Sequence, residues 1–265
     1  MTKKRLIIIG IVAFAIILLY VVTIGFIQLD RTLAANTVET WNKTHEAISN
    51  DKKDDTNIKE AMSNKESSED KIIRQGAIGN SLCTFACNVD WGEEVIPDML
   101  EIFNEYNVKV TFFVSGRWAE NNPILLKKMF EDGHEIQSHG YSHALCSKVS
   151  SEKVKDEIEK TEKAIINAIS IKPNFFAPPA GDYDERTVEI AESLGYTVVL
   201  WTSDTIDWRS DSTASVIIER IMKKPLDGSI ILMHPKPETL KALPTLIERI
   251  KAEDYNIVPL YRMPL

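Results

Sequence analysis

His139-Gly140-Tyr141-Ser142-His143 follows the strand-like Gly133-His134-Glu135-Ile136 and is answered far downstream by Ile230-Ile231-Leu232-Met233-His234. Two imidazoles four residues apart, on a helical turn or tight loop, can close on one cation. Taken alone a histidine is more often a surface or satisfied core residue. Position strengthens the pair: of five histidines, His139, His143 and His234 stand just after strand-like runs, where α/β enzymes collect their chemistry. His45, in a polar segment, and His134, at the start of a strand, read as structural.

Working outward, short apolar runs alternate with amphipathic segments. Strand-like runs fall at residues 82–89, 109–114, 134–138, 174–177, 197–202, 229–233 and 257–260. Helical periodicity falls at residues 94–106, 123–132, 151–169, 185–194, 214–223 and 239–252. Ser150 or Ser151 can cap one helix, Pro123 suits a first turn, and Gly195 is a C-terminal stop. Such alternation predicts an α/β fold with a parallel sheet covered by helices. Its compactness favours a small or incomplete (β/α) barrel over an open dinucleotide-binding sheet. The C-terminal strand ends then converge on one mouth.

The 265 residues are 44% hydrophobic and 26% charged, ordinary for a globular chain, with net charge -8. With no basic stripe outside the first few residues, nucleic acid is excluded as a partner. Residues 6–27 carry no charge, long enough to cross a bilayer core of about 30 Å. Lys3, Lys4 and Arg5 precede the run and Asp30 follows it. The positive-inside rule then predicts a single-pass cell-membrane protein with a cytoplasmic N-terminus and an extracytoplasmic catalytic domain. The run exceeds a signal h-region, and the one small-residue cleavage candidate, Leu33-Ala34-Ala35, lies late, so an uncleaved anchor is expected. The expected organisation is an anchor over 1–29, a polar stalk or linker over 30–76 and a catalytic domain over 77–265. Cys83, Cys87 and Cys146 are too few and too odd in number for a disulfide framework; small core residues are their default.

In order, the strand ends present Asn88 and Asp90, Ser115 and Arg117, His139 and His143, then Ala177 through Asp182, then Asp204, Asp207 and Trp208, then His234. This constellation resembles the polysaccharide deacetylase (NodB-like) domain of carbohydrate esterase family 4, over residues 82–260. Val110-Thr111-Phe112-Phe113-Val114-Ser115-Gly116 looks like the family's second strand, and the stretch from Gly133 to His143 is similar to its metal-binding motif. Phe176-Ala177-Pro178-Pro179-Ala180-Gly181, Trp201-Thr202-Ser203-Asp204-Thr205-Ile206-Asp207-Trp208 and Leu232-Met233-His234 resemble the third, fourth and fifth motifs.

The resemblance implies a divalent metal, typically zinc, held by His139, His143 and a first-strand carboxylate, for which Asp90 is the best candidate. Two imidazoles and one carboxylate with an open position suit a hydrolytic zinc that activates water. It also implies His234 as general acid oriented by Asp207, the backbone N–H of Ala180 at an oxyanion, and Pro179 and Trp208 against the substrate. Trp201 and Trp208 could equally fill the core.

Two positions depart from the family. Its first motif is Thr-Phe-Asp-Asp-Gly, whose first Asp is the base; here the stretch is Thr84-Phe85-Ala86-Cys87-Asn88-Val89-Asp90-Trp91-Gly92. Counting from Phe85 puts Ala86 at the base, and counting back from Trp91-Gly92 puts Asn88 there; neither accepts a proton. The third motif opens with an Arg that pairs with that Asp, and here it opens with Ala177. The losses are coupled, since either member left alone would be an unpaired buried charge. Asp90, Glu93 or Glu94 could replace the base, and Arg117 could pair with Asp90.

The expectation is therefore a metal-dependent de-N-acetylase of amino sugars in a cell-wall or surface polysaccharide, an N-acetylglucosamine-containing polymer or peptidoglycan. The alternatives are a catalytically impaired glycan-binding or scaffold module on the same fold, and a hydrolase of another amide or an ester.

Overall fold

Leu82–Val89 forms β2, buried along nearly its whole length, as suits a strand covered on both faces. In the computed structural model, which describes residues 71–265, it pairs in parallel with β3 (Thr111–Val114), with β8 (Ile230–Met233) and, near its start, with β9 (Asn256–Ile257). Beyond β3 the sheet runs through β4 (Glu135–Ser138), β5 (Phe175–Phe176) and β6 (Thr197–Val199) to β1 (Ile72–Ile73); beyond β8 it ends at β7 (Ser203–Asp204). The ladders between these strands are parallel. An antiparallel bridge from Gln75 to Ser229, and an N–H of Thr202 donating to the Ile230 carbonyl at 3.0 Å, draw the two ends of the curl together. The result is the incomplete barrel that the alternation predicts.

Strand parity sorts the side chains. Ala86, Phe113, Phe175, Val199 and Ile230, from five strands, meet in one cluster with Ala177 and Leu260. Helices cover the other side: α1 (Ile96–Glu105), α2 (Gly116–Asn121), α3 (Pro123–Glu131), α4 (Ser151–Ile169), α5 (Glu185–Ser193), α6 (Ala214–Met222) and α7 (Pro237–Ala252). Val154 and Ile158 of α4 and Val188 and Ala191 of α5 pack on Phe176 and Val198. Ser150 caps α4 by accepting the Lys153 N–H, Pro123 opens α3, and Gly195, at φ +84°, lets the chain leave α5.

The end of the barrel opposite the strand C-termini is sealed by polar bonds. Buried Glu135 accepts from Thr111 Oγ1 at 2.7 Å, Gln137 Nε2 at 2.8 Å and the Tyr261 N–H at 3.1 Å. Thr111 Oγ1 in turn accepts the Leu260 N–H at 2.8 Å. Burial pushes the Glu135 carboxyl above its usual range despite these donors. Nearby, His134 is structural as expected: Nδ1 accepts the Val110 N–H at 3.2 Å and the ring lies between Phe103 and Phe112. Burial drives its pKa down to about 3, so it is neutral.

Three elements differ from expectation. Ile72–Ile73, inside the stretch assigned to the stalk, pairs with β6. Ser203–Asp204 forms a strand where a loop was expected, and Gly116–Asn121 forms a helix absent from the sequence reading. The single-pass membrane localisation is corrected. Among the described residues no helix is long and apolar enough to cross a membrane, and residues 6–27, on which it rested, lie outside them. His45 also lies outside them.

Candidate active site

The strand ends converge on a cavity of about 430 Å³, within the range that holds a small ligand. Asn88 is at the end of β2, 5% exposed and on the same parity as inward-packed Ala86. Parallel pairing of Cys87 with Met233 sets Asn88 level with His234, one residue further along both strands. This resolves the ambiguity of the first motif: Asn88 lines the cavity, whereas Ala86 is one step deeper in the barrel core.

His139 follows β4 and donates its backbone N–H to Val114 O at 2.9 Å. Its Nδ1 is 2.7 Å from the Ala177 carbonyl, which can only accept, so Nδ1 carries the hydrogen and Nε2 keeps its lone pair. Burial, reinforced by nearby His143, lowers its pKa to about 3, leaving a neutral imidazole. His143 sits in the left-handed region at φ +57°, and the two ring centroids are 5.2 Å apart.

On the far side, His234 Nδ1 is 2.7 Å from Asp207 Oδ1. The other carboxylate oxygen, Oδ2, accepts the His234 backbone N–H and the Thr239 hydroxyl, both at 2.7 Å. Burial pushes Asp207 up, but the donors from His234 and Thr239 outweigh it and hold the carboxyl below its usual range. An ionised Asp207 therefore keeps a hydrogen on Nδ1 and turns Nε2 away from itself. Trp91 stacks on His234 with centroids 6.0 Å apart and planes 15° from parallel, and the Lys236 ammonium sits 4.2 Å from the Trp91 ring centroid. Gly92, at φ +93°, permits this approach, because a side chain there would collide with Pro235.

Asp90, Ala180, Trp201, Asp204, Trp208 and Leu232 complete the wall. Ala180 is left-handed at φ 55°, and Trp208 is 61% exposed, so it is no core residue. Asp204 is half-buried; burial pushes its carboxyl up, partly offset by the Ile206 N–H that its Oδ1 accepts at 2.7 Å.

Several expected placements change. Among the described residues no three His, Cys, Asp or Glu side chains gather into a set that could hold a metal ion, so Asp90 does not complete a trio with His139 and His143. Asp90 lies on the bend beyond β2, sharing the wall without joining the pair. The imidazole half of a zinc site fits; the carboxylate half is not assembled. Pro179 is buried beside Gly140 instead of lining the cavity. Arg117 reaches the Ser142 carbonyl at 3.4 Å, not Asp90, and Glu93 and Glu94 are exposed. The three cysteines are free and buried, and Cys146 Sγ faces the Ala144 carbonyl. Trp91 received no role from the sequence, and Asp204 none beyond its place at a strand end; an aromatic beside a strand-end Asp was the signal for the first.

The polysaccharide deacetylase family model matches residues 83–199. The chain is 38% identical over 192 residues to YlxY, an uncharacterised protein of Bacillus subtilis; the match covers 72% of this chain and 60% of YlxY. It is 33% identical to the peptidoglycan-N-acetylglucosamine deacetylase PgdA of Listeria monocytogenes, over 62% of this chain but only 34% of that protein. The structure of BA3943, a CE4 family pseudoenzyme from Bacillus anthracis, superposes with a TM-score of 0.71 at 34% identity, covering 73% of this chain and 69% of that one. A BA3943 mutant with restored enzymatic activity superposes with the same TM-score at 32% identity, covering 73% of this chain and 71% of that one. This chain belongs to the polysaccharide deacetylase family, carbohydrate esterase family 4.

Proposed function

We propose that the cavity takes the N-acetyl group of an amino-sugar residue in a polysaccharide such as peptidoglycan and hydrolyses its amide bond, at a rate limited by Asn88. The observation that carries this reading is the His234–Asp207 pair at 2.7 Å, whose His234 lines the same cavity as His139 and His143. Similarity to a peptidoglycan-N-acetylglucosamine deacetylase supports the substrate class.

His139 and His143 would hold a divalent metal such as zinc. When bound, such an ion supplies a Lewis acid that polarises the acetamide carbonyl and activates water. The rest of the chemistry belongs to side chains of this chain. Asp207 holds the Nδ1 hydrogen of His234, so a proton on Nε2 can pass to the departing amine nitrogen as the C–N bond breaks. The backbone N–H of Ala180 would stabilise charge developing on the carbonyl oxygen, and Trp208 would cover an apolar sugar face. Removal of the proton from water cannot fall to position 88, because an amide does not accept it. Asp90 is the carboxylate we assign to that step.

Acetate release from peptidoglycan or N-acetylglucosamine oligomers by the zinc-supplemented full chain tests the proposal. Slow release above a His139→Ala control is expected; release equal to that control removes the enzyme reading for those substrates.

A second reading, a glycan-binding module without turnover, is favoured by the paired loss at Asn88 and Ala177 and by similarity to a pseudoenzyme. It requires oligomer binding with no acetate release, and it loses if release occurs and disappears in His234→Ala.

A further inference from the structure

The loop that carries His139 and His143 is gripped from two sides. At the start of α2, Gly116 and Arg117 donate N–H groups to the carbonyls of Gly140, at 2.9 Å, and Tyr141, at 3.1 Å. The N–H groups of Tyr141 and Ser142 go to one carboxylate on α4. Glu157 Oε2 accepts the Tyr141 N–H at 2.7 Å and the Ser142 N–H at 2.6 Å, while Oε1 accepts Ser142 Oγ at 2.6 Å and pairs with the Lys153 ammonium at 2.5 Å. The Glu157 side chain is 1% exposed.

A carboxylate is costly to bury unless every lone pair finds a donor. Three of the four donors here come from the two residues immediately before His143. Packing of α4 does not need the acid, since Val154 and Ile158 supply its apolar contacts with the sheet. Gly140, at φ +75°, leaves room: a side chain there would begin 3.3 Å from Glu157 Oε2. His143 holds a left-handed φ of 57°, a conformation uncommon for residues other than glycine.

From this geometry we infer that Glu157 is the positioning residue of the histidine pair, fixing the 139–143 loop so that both imidazoles face one ligand before that ligand arrives. The inference rests on the reading that His139 and His143 hold a metal. It assigns α4 a function that no motif contains, by the logic that outer-shell partners set ligand orientation and affinity.

Zinc affinity of the metal-free full chain, measured by competition with a chelating indicator below the melting temperature, is the test. Glu157→Gln keeps the volume but exchanges one accepting oxygen for a donor; affinity is expected to fall about 10- to 100-fold. Ile158→Val, which loosens the same helix without touching the loop, should leave affinity unchanged, separating positioning from general destabilisation. Ser142→Ala, which keeps the acid and removes one donor, is the variant to read if Glu157→Gln does not fold, and should weaken zinc by several-fold. Equal affinity in wild type and these loop variants overturns the inference. If wild type itself binds no zinc, the metal reading fails, and amide hydrogen exchange at Tyr141 and Ser142 decides whether Glu157 positions the loop. Exchange at least tenfold faster in Glu157→Gln supports it; unchanged exchange overturns it.

Discussion

Two sets of residues at the strand ends have fared differently. The Ala177 carbonyl fixes the tautomer of His139 and Asp207 that of His234, with His143 beside His139. At Asn88 and Ala177, where the family has an ion pair, neither charge is present, and both residues are buried. A charged pair can leave a buried site at small cost only if both members leave together, whereas a half-removed pair strands a charge. The contrast sets an absent ion pair beside hydrogen bonds to His139 and His234 that are present.

The largest effect is expected from putting half of the pair back. Ala177→Arg alone would drive a guanidinium among Ala86, Phe113 and Val199 and cost about 3 kcal/mol or more of unfolding free energy, read by urea denaturation. Adding Asn88→Asp should recover most of that loss, and a double-mutant cycle with no coupling would break the comparison. In the same double variant acetate release should rise about 100-fold or more if Asn88 is the step that limits turnover. A fall instead would mean that Asp90 already does the work. Among the residues that remain, Asp207→Asn should lower kcat by about 100-fold with little change in KM, because it disturbs the tautomer of His234 and not the glycan contacts. An unchanged kcat would show that the dyad is structural.

Smaller effects sharpen the boundary between site and scaffold. His134 has a folded pKa near 3 against an ordinary value of 6.5, so the unfolded chain binds the extra proton between those values. Its contribution to stability is complete above pH 6.5 and is lost as pH falls toward 3, at about 1.4 kcal/mol per pH unit. His134→Asn should flatten that slope in acid denaturation without altering zinc binding. Trp91→Ala removes the ring that stacks on His234 and meets the Lys236 ammonium, and a KM increase of about 5- to 10-fold is expected from the lost stacking and cation contact.

Legibility followed the length of the signal. Strand β2 and helix α4 have enough residues for their periods to show, and α4 keeps its expected bounds. β1 is two isoleucines beside basic and acidic neighbours, and β7 is Ser203–Asp204, with no apolar residue at all; neither is long enough to display a period of two. Helix α2 is a six-residue element opening on glycine, although Ser115, whose hydroxyl accepts the Trp118 N–H, was a readable cap. In the site, the histidines and Asp207 were visible because chemistry restricts residue type at strand ends. Glu157 was not, since a carboxylate on a helix reads as solvated surface, and its partners lie 15 and 16 residues upstream across a loop. The choice between Ala86 and Asn88 needed a register, which only the neighbouring strands could supply.

The bonds from Tyr261 and Leu260 to Glu135 and Thr111 have a bearing on biosynthesis. Until Leu260 and Tyr261 have emerged from the ribosome, Glu135 is short of one donor and Thr111 of its backbone partner. The floor of the barrel can therefore close only after all the described strands have been synthesised.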